Sequence, residues 1–144
     1  MTHSEPAHPE PPIALGRPGW TLLASSAATG GSFELFEELR DAPGGPPPHI
    51  HREHEELFYV LEGRYAFARG DIELELEPGE SIVIPRGTKH GFRTLVAPSR
   101  TLILIVPAGL EVFFREMGTE MGAGRTALEA MTALSGRFDS HPVL

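Results

Sequence analysis

The stretch GGPPPHIHREHEELFYVLEG, residues 44–63, carries the pattern that decides the fold. Pro46-Pro47-Pro48 favours an extended entry into the next residues. In an extended chain, residues i and i+2 point to the same face. His49 and His51 therefore stand side by side, able to share one metal ion. A bare His-x-His pair is a weak signal, and its neighbours strengthen it. Glu53, Glu55 and Glu56 come soon after, and a strand-like run from Leu57 ends at Gly63. Strand alternation separates two of these carboxylates. Glu56 shares parity with Phe58 and Val60, whose apolar side chains would face an interior, whereas Glu55 shares parity with Leu57 and Tyr59. His54 falls in the turn and is read as a solvent-facing or supporting group.

Working outward, the segments on either side are short, β-rich and punctuated by turn residues every 8–12 positions or so. Trp20–Ala28 and Ser32–Leu39 flank Thr29-Gly30-Gly31. Asp41–Pro48 reads as a Gly/Pro loop, Leu57–Glu62 and Arg64–Arg69 as strands on either side of Gly63, and Gly70-Asp71 as a turn. Ile72–Glu77 alternates apolar and acidic residues, the pattern of a half-buried strand. After Pro78-Gly79-Glu80 come Ser81–Pro85, Phe92–Val96 and Thr101–Val106. Ile82-Val83-Ile84 and Leu102–Ile105 lack alternation and are expected to be covered on both faces. Many short strands at this spacing predict a sandwich or small barrel, an all-β class. In the last third the period becomes helical. Leu110, Phe113, Phe114 and Met117, then Leu128, Met131 and Leu134, predict two short helices packed against the outside of the barrel.

A second informative stretch is GESIVIPRGTKHGFRT, residues 79–94, in which a Pro85/Gly87 turn ends one strand and His90 opens the next. Together the two stretches read G-x4-H-x-H-x4-E-x6-G (Gly44, His49, His51, Glu56, Gly63) and G-x5-P-x-G-x2-H (Gly79, Pro85, Gly87, His90). These resemble the two signature motifs of the cupin superfamily, and the short segment Arg64–Pro78 looks like the inter-motif hairpin of small bacterial cupins of the quercetin-dioxygenase-like kind. The leading Gly lies one position nearer the first His than usual. Thr94 stands where the second motif often has Asn, a position that is not a metal ligand.

The resemblance implies a double-stranded β-helix, or jelly-roll barrel, over residues 19–107; the Pro-rich start is read as a flexible tail over 1–18, and the helical period as an extension over 108–144 packed on the barrel. The resemblance also implies one divalent transition metal (Fe, Mn, Ni, Co or Zn) held by His49, His51, Glu56 and His90. Nitrogen and oxygen donors of this kind suit all five ions. It further implies a dioxygenase-type enzyme acting on a small enolic or phenolic molecule, with Glu56 as the general base and the three histidines as ligands only. Rival expectations are a metal-dependent isomerase, epimerase or decarboxylase, and a non-catalytic small-molecule-binding module. By the same resemblance the chain is expected to pair as a homodimer.

Composition narrows the classes further. One hundred and forty-four residues suit one domain. Formal net charge is -8, which argues against nucleic acid as a partner, since a phosphate backbone demands a basic surface. No apolar run approaches the ~20 residues of a membrane span. Cysteine is absent, which removes disulfides, thiolate metal sites and cysteine nucleophiles. The start, MTHSEPAHPEPP, has neither a basic region nor an apolar core, so a cytoplasmic location is expected, and His3 and His8 within it are read as surface groups. Arg40, Arg52, Arg64 and Arg69 are read as solvated strand ends. Phe33, Phe36, Phe58, Tyr65, Phe67 and Phe92 are read as core or cavity wall, a lining that favours aromatic substrates over sugars.

Overall fold

The computed structural model describes residues 12–15 and 19–143. Nearly all of the expected tail, His3 and His8 included, lies outside the described residues. Ile13–Leu15, grouped with that tail on sequence, belong to the fold. Strand β1 (Ile13–Ala14) pairs with β2 (Trp20–Ala24), and Leu15 is buried.

Two long antiparallel strands frame the barrel. Strand β5 (Glu55–Arg69) and strand β8 (His90–Val106) pair from Glu55↔Val106 to Arg69↔His90. Each serves two layers. On one side β8 pairs with β3 (Glu34–Arg40) through residues 99–105 and with β4 (His49–Ile50) at His90. On the other side β5 pairs with β7 (Ser81–Ile84) through residues 56–59 and with β6 (Ile72–Leu76) through residues 65–69. Strand β2 pairs with β3. The sheet thereby folds onto itself around an apolar interior, as the jelly-roll expectation requires.

The sequence suggested two strands around Gly63 and two more around Ala97-Pro98. Each pair is instead one strand with an irregularity in its middle. A bulge shifts side-chain parity by one position. Along β5, Glu56, Phe58 and Val60 point inward before Gly63, and Tyr65 and Phe67 after it. Along β8, His90, Phe92 and Thr94 point inward, then Ser99, Thr101, Ile103 and Ile105. The bulges keep both halves of each strand turning side chains into the interior. Phe58, Phe67 and Phe92 meet there with ring centroids 5.0–5.3 Å apart.

Several expectations give way to tertiary context. Residues 25–28 leave the predicted strand for helix α1 (Ser26–Thr29), because the Ser25 hydroxyl accepts the Ala28 N–H and nucleates a turn. On β6, Ile72 and Leu74 are exposed and only Leu76 is buried, since no second layer covers that hairpin. Val83 is 49% exposed and Phe33 also faces outward. Arg40 is not a free strand end: its Nε donates to the buried Glu38 carboxylate at 2.6 Å.

The two predicted helices are present, α2 (Glu111–Gly122) and α3 (Ala127–Leu134). They do not sit on the outside of the barrel. Phe113, Phe114 and Met117 of α2 and Met131 of α3 close over its mouth, with Phe114 against Trp20 and Phe36 at ring-centroid distances of 4.7 and 4.9 Å. Fully buried Glu34 anchors this cover. Its carboxylate accepts the N–H groups of Gly109, Leu110 and Glu111. Those are orphan donors at the start of α2, where negative charge also complements the helix dipole. The extension then returns to the sheet as β9 (His141–Pro142), paired with β4.

The bulge at Gly63 makes a sharp test of this frame. Gly63 has φ +78°, and an added Cβ would lie 2.5 Å from the Val96 carbonyl oxygen and 2.7 Å from that of Pro98. Left-handed strain and backbone overlap together predict that G63A costs about 2–4 kcal/mol. Urea unfolding measures it, and a cost below about 0.5 kcal/mol would show that the bulge does not depend on glycine.

Candidate metal centre

Each of the four implied residues reaches the site from a different local device. His49 sits on β4, straightened by the three prolines before it. His51 follows at the same parity. Glu56 enters on β5 beside Phe58, and His90 opens β8 directly opposite His49. The register His49↔His90 is why two histidines far apart in sequence face each other. All four are buried, and one donor atom from each lies within 4.8 Å of the others. Two ligands on opposite sides of a single ion at about 2.1 Å would lie about 4.2 Å apart, so the cluster is of a size that one cation could draw together. Glu55 lies on the outer face, 3.3 Å from Arg86, and Glu56 is the carboxylate that faces the histidines, as strand parity expects.

Backbone carbonyls orient the three rings. His49 Nδ1–H donates to the Pro47 oxygen at 2.8 Å, His90 Nδ1–H to that of Thr88 at 2.9 Å, and His51 Nδ1–H to that of Asp139 at 2.7 Å. A ring that donates from Nδ1 offers Nε2 as its ligand atom. The Nε2 atoms of His51 and His90 converge on one oxygen of Glu56, at 2.9 and 2.8 Å. His54, as expected, supports the site instead of joining it, donating to the Asp139 carboxylate at 2.7 Å. Asp139 itself was not foreseen. An aspartate near the end of the chain has no sequence signal tying it to a histidine 88 positions earlier.

Electrostatics follow from burial and crowding. His49 is pushed down to about 3, by burial first and then by the neighbouring His90 and His51. Burial also disfavours the charged forms of His51 and Glu56, but their mutual attraction prevails. His51 is raised above the ordinary imidazole value, and Glu56 is held well below the usual carboxylate range. The donors are hard and borderline nitrogens and oxygens, so the set fits a divalent transition metal. The cavity beside them measures about 40 Å³, room for a few waters at about 10–15 Å³ each. Its walls are Phe58, Phe92, Ile103, Phe113, Phe114 and Met131.

These pKa directions set opposite pH dependences for the metal-free fold. His49 takes its proton in the unfolded chain first, so its burial contributes stability above about pH 6.5 that is lost on acidification toward pH 3. His51 acts in reverse, contributing below about pH 6.5 and losing that contribution as pH rises through its elevated folded value. Metal binding needs every imidazole neutral. Uptake near neutrality should therefore release protons, and affinity should fall as pH drops through about 6.5. Calorimetry in buffers of differing ionisation enthalpy reads both effects. An affinity flat from about pH 7 to about pH 5 would contradict imidazole ligation.

Comparison with known proteins agrees with this geometry. Residues 38–106 match the cupin domain family. Quercetin 2,3-dioxygenase of Bacillus subtilis (strain 168) is 30% identical over 99 residues, covering 67% of this chain and 29% of that protein. The chain thus spans less than a third of the length of the curated relative it matches. Among solved structures, KdgF from Halomonas sp. aligns with a TM-score of 0.60 at 22% identity, over 72% of this chain and 91% of that one, a likeness of fold. The polyketide cyclase RemF from Streptomyces resistomycificus aligns with a TM-score of 0.53 at 34% identity, over 65% and 68% of the two chains. With the two motifs converging inside one folded sheet and the domain match laid over both, the chain belongs to the cupin superfamily.

Proposed function

We propose that His49, His51, Glu56 and His90 hold one divalent transition metal, and that the chain uses it in a dioxygenase-type reaction between O2 and a small enolic or phenolic molecule. The observation that carries this reading is the convergence of three oriented imidazoles and one carboxylate on a single point beside an aromatic cavity. The 30% identity to quercetin 2,3-dioxygenase supports the substrate class. A bound divalent ion supplies Lewis acidity that lowers the pKa of a hydroxyl it contacts. Glu56, the carboxylate of the cluster, would receive the proton that such a hydroxyl gives up. Phe58, Phe92 and Phe113 give the cavity an aromatic lining that suits such a substrate, and α2 and α3 form part of its wall.

The 34% identity to a polyketide cyclase favours a second reading, rearrangement or ring closure of an enolisable substrate at the same metal without O2. Assays of the metal-loaded protein against phenols and enolisable ketones, in air and under nitrogen, decide between them. The dioxygenase reading expects O2 uptake in step with substrate loss and no turnover under nitrogen. Equal turnover under nitrogen would assign the second reading. Tight binding without turnover in either gas would make the chain a binding module.

We further propose that the chain forms a homodimer through the outer face of the β3–β8–β5–β7 sheet. Register places Leu35, Leu104, Leu57 and Val83 in one row across four strands, with Tyr59 and Leu102 in the next. Glu37–Arg100 and Glu55–Arg86 ion pairs rim the patch with both signs of charge, which suits a self-complementary surface. A contiguous apolar patch of this kind is seldom left in water. Light scattering should give twice the chain mass, and L104R should give a folded monomer. A monomer mass for the unaltered chain would refute the pairing.

A further inference from the structure

The three ring-orienting hydrogen bonds differ in one respect. His49 and His90 donate to carbonyls two residues before them, within their own turns. His51 donates to Asp139, 88 residues away. Its orientation therefore depends on a segment that no motif includes.

That segment is held to the ligand loop by more than one bond. The Asp139 carboxylate accepts the backbone N–H groups of Arg52 and Glu53 and the ring N–H of His54, each at 2.7 Å. Those residues form the turn that carries the chain from His51 to Glu56. Four hydrogen bonds from four consecutive residues, 51–54, thus end on this one aspartate. Burial disfavours its charge, but these donors prevail and hold the carboxyl down at about 2, so it remains ionised in ordinary buffers. Beyond it, His141 and Pro142 pair with Ile50 and His49, and Val143 N–H donates to the Pro48 carbonyl. On the far side of the turn, His54 Nε2 lies about 3.1 Å from where a Cβ on Gly109 would be, at the start of α2. The ligand turn is clamped between the two ends of the helical cover.

We infer that Asp139 is a positioning residue of the metal centre: its carbonyl fixes the His51 ring and its carboxylate fixes the turn between His51 and Glu56. The inference rests on the metal-centre reading proposed for His49, His51, Glu56 and His90. It also gives the C-terminal segment a role beyond covering the barrel. The chain that runs from Met131 at the cavity wall continues through Phe138 to Asp139, so eight residues of chain and one hydrogen bond join the cover to His51.

The test uses the full chain and Co(II) as probe. Groups that orient metal ligands typically change affinity about 10–100-fold when lost. D139A should weaken Co(II) binding by that factor and shift its visible absorption bands, because the turn carrying two ligands loses its anchor. D139N keeps one accepting oxygen and should restore part of both. T126A is the control for simple destabilisation. It removes the capping box of α3, so it should lower the melting temperature and leave Co(II) affinity and spectrum unchanged. Affinity and spectrum of D139A matching the unaltered chain, with that chain binding Co(II), would overturn the inference alone. Failure of the unaltered chain to take up Co(II) would overturn the metal-centre reading and this inference with it.

Discussion

Four polar side chains crowded into an apolar barrel are the constraint around which the fold is organised. One Glu56 oxygen lies 2.9 Å from His51 Nε2 and 2.8 Å from His90 Nε2, and all three groups are removed from water. Burying such groups unpaired would cost several kcal/mol. The structure answers in two ways. It sets the carboxylate against two imidazole nitrogens, and it ties the Nδ1–H of each of the three rings to a backbone carbonyl. Each ring is thereby fixed in position and in the direction of its free nitrogen. A cluster of this kind contributes little as a stability device, because an apolar set of the same volume would serve as well or better. Its arrangement makes sense as a place prepared for a cation.

The barrel and its helices act on the site from opposite sides. The bulges in β5 and β8 change side-chain parity, so that both halves of each strand turn side chains into the interior. Glu34 fixes where α2 begins, and α2 then lays Phe113, Phe114 and Met117 across the mouth. The resulting cavity is small and mostly aromatic. In the proposed reaction, selection of substrate would belong to the α2–α3 cover as much as to the metal.

Legibility in the sequence tracked the range of the interactions. The buried His49, His51, Glu56 and His90 cluster was readable because strand alternation and turn residues are local: His49 and His51 share parity, Glu56 and Glu55 do not, and Pro85/Gly87 mark the turn before His90. The barrel class was readable from the spacing of turns. Features set by distant partners were not. A Gly in a β-run signals either a turn or a bulge, and only pairing with β8 decides that β5 continues through Gly63. Helical periodicity located α2 and α3 but carried no information on which surface they cover, since an apolar face fits a barrel wall and a barrel mouth equally. Ile72 and Leu74 alternate like half-buried residues, yet the hairpin has no second layer above it. Glu34 and Asp139 are ordinary acidic residues by sequence, and their roles come from N–H groups 75 or more positions away.

The central claim is that one cation belongs between these four side chains, and anomalous diffraction from crystals of metal-loaded protein tests it most directly. The account predicts a single strong peak bonded to the Nε2 atoms of His49, His51 and His90 and to a Glu56 oxygen. No peak at that point after soaking in manganese, cobalt or nickel, with the four side chains parted and solvent between them, would contradict it.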